Sequence, residues 1–280
     1  MGKFKVIRFF TYDPTKDPTK MVYRKPISKP RKAFKGFVSE FIGTLYLVYF
    51  CCGSVTSAFA FPSGDFAAKI LLACIIQGFA LACLIWAVSG VSGCNLNPAV
   101  TLANLLSGRV GLINSLSYIA AQVLGCIAGA ALLYACLPDL YRGDIGVTHL
   151  GPGMNTGEAF LLEMMVTCLL CLTVLGTSVF NVWDRRMNRV APYAIGLALL
   201  VGVGIGFPFT GGALNPVRVL GPSIISGVWS NHWVYWLGPL VGAMIAALIY
   251  RCLLQERFDV IHKPGYVEPL IDPTTAVAYY

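Results

Sequence analysis

Long stretches without a charged side chain alternate along this chain with short segments that concentrate charge. Residues 70–108, 110–138, 164–183, 190–217 and 219–250 contain no Asp, Glu, Lys or Arg, and residues 36–62 contain only Glu40. A helix that crosses a bilayer needs ~20 mostly apolar residues. The pattern therefore predicts six full helices, at about 36–60, 69–90, 111–136, 157–181, 190–208 and 232–254. Two uncharged stretches exceed a single crossing. The excess is residues 91–108 in one and roughly 209–229 in the other, both rich in Gly, Ser and Asn. Segments this short must dip in and return, which is tolerated only where the backbone is buried in protein or lines water. They predict half-helices at about 97–106 and 215–225.

Each half-helix opens on the same signal, Asn97-Pro98-Ala99 in the first and Asn215-Pro216-Val217 in the second. Asn is among the best N-caps, and Pro is tolerated at the first helical position, where its missing N–H would have no partner. With the cap oxygen on the helix's own N–H groups, the amide NH₂ is left to point past the helix end, in line with the positive end of the dipole. Two such ends meeting at mid-membrane make a polar spot in a hydrocarbon wall.

The two halves repeat. Glu40 and Thr44 recur as Glu163 and Thr167, an offset of 123, and Asn97 recurs as Asn215, an offset of 118. Three spans per half give the halves opposite orientations. Gly125 and Gly129 on the third span are mirrored by Gly238 and Gly242 on the sixth, a spacing that lets helices approach closely in lipid. The expected fold class is an all-α membrane protein with six transmembrane helices, two re-entrant half-helices and an inverted internal repeat. Its channel domain spans 36–254, with repeats at about 36–136 and 157–254, between a basic N-terminal tail (1–35) and a C-terminal tail (255–280).

Composition agrees: 56% of the 280 residues are hydrophobic, 12% are charged and the mean hydropathy is +0.69, outside the range of ordinary soluble domains. Charge adds orientation. Of 21 Lys and Arg, 18 fall in segments on one side of the predicted spans, while Lys69 and Arg142 lie on the other. The positive-inside rule then puts both termini in the cytosol. The basic N-terminus reads as an anchor near anionic lipid, and no nucleic-acid partner is expected. That tail reads as a plain disordered segment, with a cap over the channel and a phosphorylation target at Ser28, after Arg24-Lys25, as alternatives. One cation is left over: Arg218, inside the second re-entrant segment.

Glu40 and Glu163 are costly in a membrane unless paired. Placed equivalently, each is suited to accept backbone N–H groups of a re-entrant loop and hold it; a proton relay is the alternative. Arg218 has no counterpart in the first half, where Val100 stands, and is the strongest candidate for a role in a pore. The ten cysteines show no zinc spacing; Cys168-Leu-Leu-Cys171 has redox spacing inside an apolar span, and Cys94 lies just before Asn97. No nucleophile–base set, phosphate loop, metal site or cofactor motif appears, so no enzymatic activity is expected.

Several segments carry a resemblance: both Asn-Pro motifs, the repeated Glu-x-x-x-Thr, Ser-Gly-Cys-Asn-Leu-Asn-Pro-Ala-Val-Thr (92–101), Tyr-Ile-Ala-Ala-Gln (118–122), Ala-Pro-Tyr-Ala-Ile-Gly (191–196) and Asn-His-Trp-Val-Tyr-Trp-Leu-Gly-Pro (231–239). The chain resembles the aquaporin, or major intrinsic protein, family over about residues 34–254. The resemblance implies a homotetramer in the lipid bilayer with one pore per subunit and Asn97 and Asn215 at the pore centre. It places Gln77, Val203, Gly212 and Arg218 in an outer selectivity filter. The water-selective branch usually has an aromatic residue and a His where this chain has Gln77 and Val203. The closest pattern is the plant tonoplast-intrinsic type, which also has an outer-loop Thr-His like Thr148-His149 and is associated with water together with ammonia or urea. Val217 in place of the usual Ala is a departure.

The implied function is a passive channel for water and small neutral solutes (ammonia, urea, hydrogen peroxide or glycerol) that excludes protons and ions. A glycerol-type facilitator, an alternating-access carrier and a junctional scaffold with low pore activity are the competing readings, since inverted repeats also mark transporters. Plasma membrane and vacuolar membrane remain equal alternatives.

Overall fold

A computed structural model describes residues 29–60, 63–177 and 185–254, and side chains at 31–60, 63–177 and 190–254. Ser28, most of the N-terminal tail, the C-terminal tail from 255 and the side chains of Arg185, Arg186 and Arg189 fall outside what is described. Among the described residues the helices are α1 (Lys29–Phe59), α2 (Phe66–Ser92), α3 (Pro98–Leu106), α4 (Leu112–Cys136), α5 (Asp139–Arg142), α6 (Thr156–Thr177), α7 (Arg185–Thr210), α8 (Pro216–Ser226) and α9 (Val234–Ile249). A π-helical turn, Tyr250–Leu254, continues α9. Among the described residues six helices are long and apolar enough to cross a membrane, and α3 and α8 are the two half-helices.

The helix α1 begins earlier than the charge pattern suggests, at Lys29 instead of about 36. Charge marks where the apolar solvent ends, and a helix can run on past that boundary into water. The short α5 was also outside the expectation; Arg142 pairs there with Asp139 and donates from Nε to the Tyr134 and Leu137 carbonyls, both at 3.0 Å.

The inverted repeat is visible in the packing. In the first half α1 packs on α4 and α2, and in the second α6 packs on α9 and α7, while α2 meets α7 where the halves join. A Cβ on Gly125 would lie 2.5 Å from the Phe41 carbonyl oxygen of α1, and one on Gly129 would strike the Leu45 carbonyl. Across the pseudo-symmetry, a Cβ on Gly238 would lie 2.9 Å from Glu163 Cβ of α6, and one on Gly242 would strike the Met164 carbonyl. Lipid tails give no hydrophobic drive for helices to associate, so this backbone-level contact is what joins α4 to α1 and α9 to α6. The half-helices cross over: α3 rests mainly on α9 of the other half, and α8 on α4. Large apolar side chains such as Leu71, Phe79, Leu161 and Leu197 face outward, which suits a hydrocarbon surround.

Candidate functional site

The two Asn-Pro starts fold locally in the same way. Asn97 is the N-cap of α3, its Oδ1 accepting from Ala99 N at 2.8 Å, and Asn215 is the N-cap of α8, its Oδ1 accepting from Val217 N at 3.1 Å. The amide nitrogens then cross between halves. Asn97 Nδ2 donates to the Leu214 carbonyl at 2.9 Å, and Asn215 Nδ2 donates to the Leu96 carbonyl at 3.0 Å. Each NH₂ uses one of its two protons in this way, leaving the other free for what lies beyond the helix end. To aim those carbonyls, Leu96 and Leu214 both adopt φ of 51°, a left-handed conformation costing a side-chain-bearing residue ~1–2 kcal/mol. Val217 is fully buried behind its motif, against Val48, Cys52 and Cys126 of the neighbouring core cluster.

Two buried carboxylates hold these strained loops. Glu40 Oε1 accepts from Ser92 Oγ at 2.6 Å and Asn95 N at 2.9 Å, and its Oε2 accepts from Leu96 N at 2.7 Å and Gln122 Nε2 at 2.9 Å. Glu163 Oε1 accepts from Thr210 Oγ1 at 2.7 Å and Ala213 N at 2.9 Å, while Oε2 accepts from Leu214 N at 2.9 Å. Both residues are 0% exposed. All their carboxylate oxygens are occupied by donors of the two loops and their braces, which is the way an ionised acid is tolerated at this depth.

Arg218 projects from the first turn of α8 and is 2% exposed. Its Nη1 donates to the Gly146 carbonyl at 2.7 Å, and its Nε has no hydrogen-bond partner. Gly146 has φ of 74°, and a Cβ there would lie 2.7 Å from the Cys52 carbonyl oxygen, so only glycine can bring this carbonyl to the guanidinium. Gln77, on α2, donates from Nε2 to Ser54 Oγ at 3.2 Å. Val203 and Gly212 touch each other: a Cβ on Gly212 (φ of 59°) would lie 2.9 Å from Val203 Cα.

A cavity of about 590 Å³ joins these parts. It runs from Arg109, Val110 and Thr177 at one end, past Asn97 and Asn215, to Gln77, Cys51 and Arg218 at the other. Of the residues expected in a filter, Gln77 and Arg218 lie on its wall, while Val203, Gly212 and His149 do not. His149 instead meets Asp144, Nε2 to Oδ2 at 2.5 Å. Cys94 is buried and on the cavity wall, Cys168 and Cys171 are buried, and all ten cysteines are free. His232, in the turn before α9, lies near Ser223 Oγ and Trp229, and burial lowers its pKa.

Several participants carry no sequence signal of their own. Gly146 acts through its backbone carbonyl, and Thr210 braces Glu163 from outside any motif, while Ser92 opens a motif that marked a resemblance but not its contact with Glu40. Gln122 donates from Nε2 to both Glu40 and Thr101 Oγ1, each at 2.9 Å; it lay within a motif that marked a resemblance but not a contact. Arg109 ties the end of α3 to α6, donating from Nη2 to the Leu175 carbonyl at 2.5 Å and standing 4.9 Å over the Tyr250 ring.

Residues 28–250 match the family model described as "Major intrinsic protein". The chain is 76% identical to "Aquaporin A" of Dictyostelium discoideum over the whole of both chains. It is 42% identical to "Aquaporin C" of the same organism, covering 92% of this chain and 94% of that one. The "Lens fiber major intrinsic protein" of Lithobates pipiens is 34% identical, over 84% of this chain and 90% of the relative. Among solved structures, the aquaglyceroporin from Plasmodium falciparum superposes with a TM-score of 0.70, 24% identity, and coverage of 79% of this chain and 96% of that one, a likeness of fold.

Proposed function

We propose that this chain, which belongs to the major intrinsic protein family and is a multi-pass membrane channel protein, conducts water and small neutral solutes passively and refuses ions. The observation that carries the reading is the pair of capped half-helices, whose Asn97 and Asn215 amides cross-bond between halves on the wall of one continuous cavity that ends at Arg218. The free amide protons and the positive ends of two dipoles suit a neutral molecule's oxygen and oppose a cation. Arg218 adds a fixed positive charge to the cavity wall that Gln77 and Cys51 also line. Glu40 and Glu163 serve as loop supports and not as proton carriers, because their oxygens are committed to donors of the loops.

The solute range extends beyond water to ammonia and urea, since Gln77 and Val203 replace the bulky pair of the water-selective branch. Gln77 and Arg218, on the cavity wall, form the outer filter; Val203 and Gly212, packed on each other off that wall, shape it indirectly, and His149 acts on it through Asp144 and Gly146. Four copies assemble, each with its own pore, and both termini face the cytosol. The relatives' names speak of aquaporins, in keeping with water as the primary solute. Stopped-flow measurements on proteoliposomes with water, ammonia, urea and glycerol test the reading: a pore gives fluxes that do not saturate and a low activation energy, whereas a closed scaffold gives none.

A further inference from the structure

We infer that Ser54 is a positioning residue for solute selection: it fixes the carboxamide of Gln77 so that the oxygen, not the nitrogen, is turned to the passage, where it accepts from an N–H of a small neutral solute such as urea or ammonia. The inference rests on the channel reading above and deepens it by naming what selects the solute. Gln77 lines the cavity and is 1% exposed, while Ser54, on α1, is buried off the cavity wall. Ser54 Oγ lies 2.7 Å from the Cys51 carbonyl oxygen and 3.2 Å from the Gln77 carboxamide. A hydroxyl has a single proton to give. The Cys51 carbonyl can only accept, so the shorter bond takes that proton, and Ser54 Oγ is left with lone pairs alone for Gln77. The group of Gln77 that meets it is therefore the NH₂. The hydrogen-bond network, and not the shape of the side chain, settles which way round the carboxamide stands.

The oxygen is then turned the other way. Gln77 Oε1 accepts no hydrogen bond among the described residues and is not sealed in, unlike Gln122 Oε1, which is buried without a partner. It is a free acceptor on the cavity wall. Arg218, on the same wall, supplies donors: its Nη1 is bound to the Gly146 carbonyl and its Nε is sealed without a partner, which leaves Nη2 for the cavity. One turn of α1 ties the two residues together, since Cys52 Sγ donates to the Arg218 carbonyl at 3.9 Å and Ser54 holds Gln77. A wall that joins an acceptor to donors is the complement of a solute with N–H groups and a carbonyl or lone pair. Ammonia and urea carry more donors than acceptors and lose most if the acceptor is turned away. Water has as many of one as of the other and can pass donors alone on its lone pairs.

The test is the ratio of urea to water permeability, and of ammonia to water permeability, for the full-length protein in proteoliposomes; a ratio does not depend on how much of each variant folds. Ser54→Ala frees the carboxamide to turn and should lower both ratios about threefold or more, the scale of one hydrogen bond. Ser54→Thr, which keeps the hydroxyl, should hold them near wild type. Gln77→Met, which keeps the length and removes the polar atoms, should lower them at least as far as Ser54→Ala. Placed in the Gln77→Met protein, Ser54→Ala should change the ratios less than about 1.5-fold, because Ser54 then has no carboxamide to hold. A merely structural role of Ser54 would move the ratios by the same factor in both backgrounds, and that result overturns the inference, as do wild-type ratios in Ser54→Ala. A wild type that passes water and excludes both urea and ammonia also overturns it and leaves the water channel intact. A wild type that passes no water overturns the channel reading instead. The orientation of Gln77 is then judged by solid-state NMR, in which the side-chain ¹⁵N signal of Gln77 should shift in Ser54→Ala; an unmoved signal refutes it.

Discussion

The guanidinium of Arg218 is held by the backbone of Gly146, Nη1 to carbonyl oxygen at 2.7 Å. Gly146 is held in turn by Asp144, whose Oδ1 accepts from Gly146 N at 3.2 Å while its Oδ2 meets His149. A solvent-facing pair in the loop after α5 is thus two bonds away from a buried cation on the cavity wall.

Arg218→Ala should leave water flux in place and admit cations or protons. Removing a fixed charge from a constriction of low dielectric lowers the barrier to a cation by about several kcal/mol. Proton and sodium leak in proteoliposomes of equal protein density is the readout, and an unchanged leak in a well-folded variant contradicts a filter role.

Asp144→Ala should act in the same direction but more weakly, because it removes the acceptor of Gly146 N and loosens the loop carbonyl without removing the Arg218 charge. The expected change is a measurable cation leak with water flux within about twofold of wild type, on the scale of one hydrogen bond worth ~1 kcal/mol. His149→Ala should reproduce part of it. If neither variant differs from wild type, the outer pair does not position Arg218.

Val203→His should restrict the pore toward water. Val203 is fully buried against Gly212 and off the cavity wall, so the larger imidazole must displace its neighbours, and the expectation is that it does so into the passage. Stopped-flow flux should show urea and ammonia reduced about tenfold relative to water, a barrier change of about 1.4 kcal/mol. Equal loss of all fluxes would point to misfolding or a blocked pore.

Glu163→Leu should destabilise the second half. It strands Ala213 N and Leu214 N, each a buried donor whose loss of a partner costs about 1–3 kcal/mol, while Thr210 Oγ1 loses Glu163 and keeps the Gly206 carbonyl at 3.3 Å. Thermal unfolding in detergent should show a lowered midpoint, and Glu163→Gln, which keeps an acceptor oxygen, should lie between the two. A wild-type midpoint for Glu163→Leu would remove the loop-support role.

Both termini should be reached from the cytosolic side alone and residues 137–156 from the opposite side alone. Protease or tag accessibility in intact cells gives the answer. Termini on opposite faces would contradict an even number of crossings.

The spans, the two half-helix starts and the inverted repeat were legible in the sequence, because each depends on local chemistry. A charge-free run reports the solvent around it, and Asn before Pro reports a helix start whatever the neighbours are. The spacing of Glu40 and Glu163 gave their equivalence for the same reason, while the helix ends at Lys29 and the short α5 did not follow from charge. The contacts that make the site were decided by the tertiary structure. Asn97 and Asn215 reach carbonyls 117 and 119 residues away, and a carbonyl has no residue signature by which a sequence could announce it. Gly146 meets Arg218 only because the loop after α5 folds back against α1, and Asn95 is left with a free donor only because Asn104 takes its oxygen. Which polar atoms end up paired, and which are left buried without a partner, is fixed by how the two halves interlock.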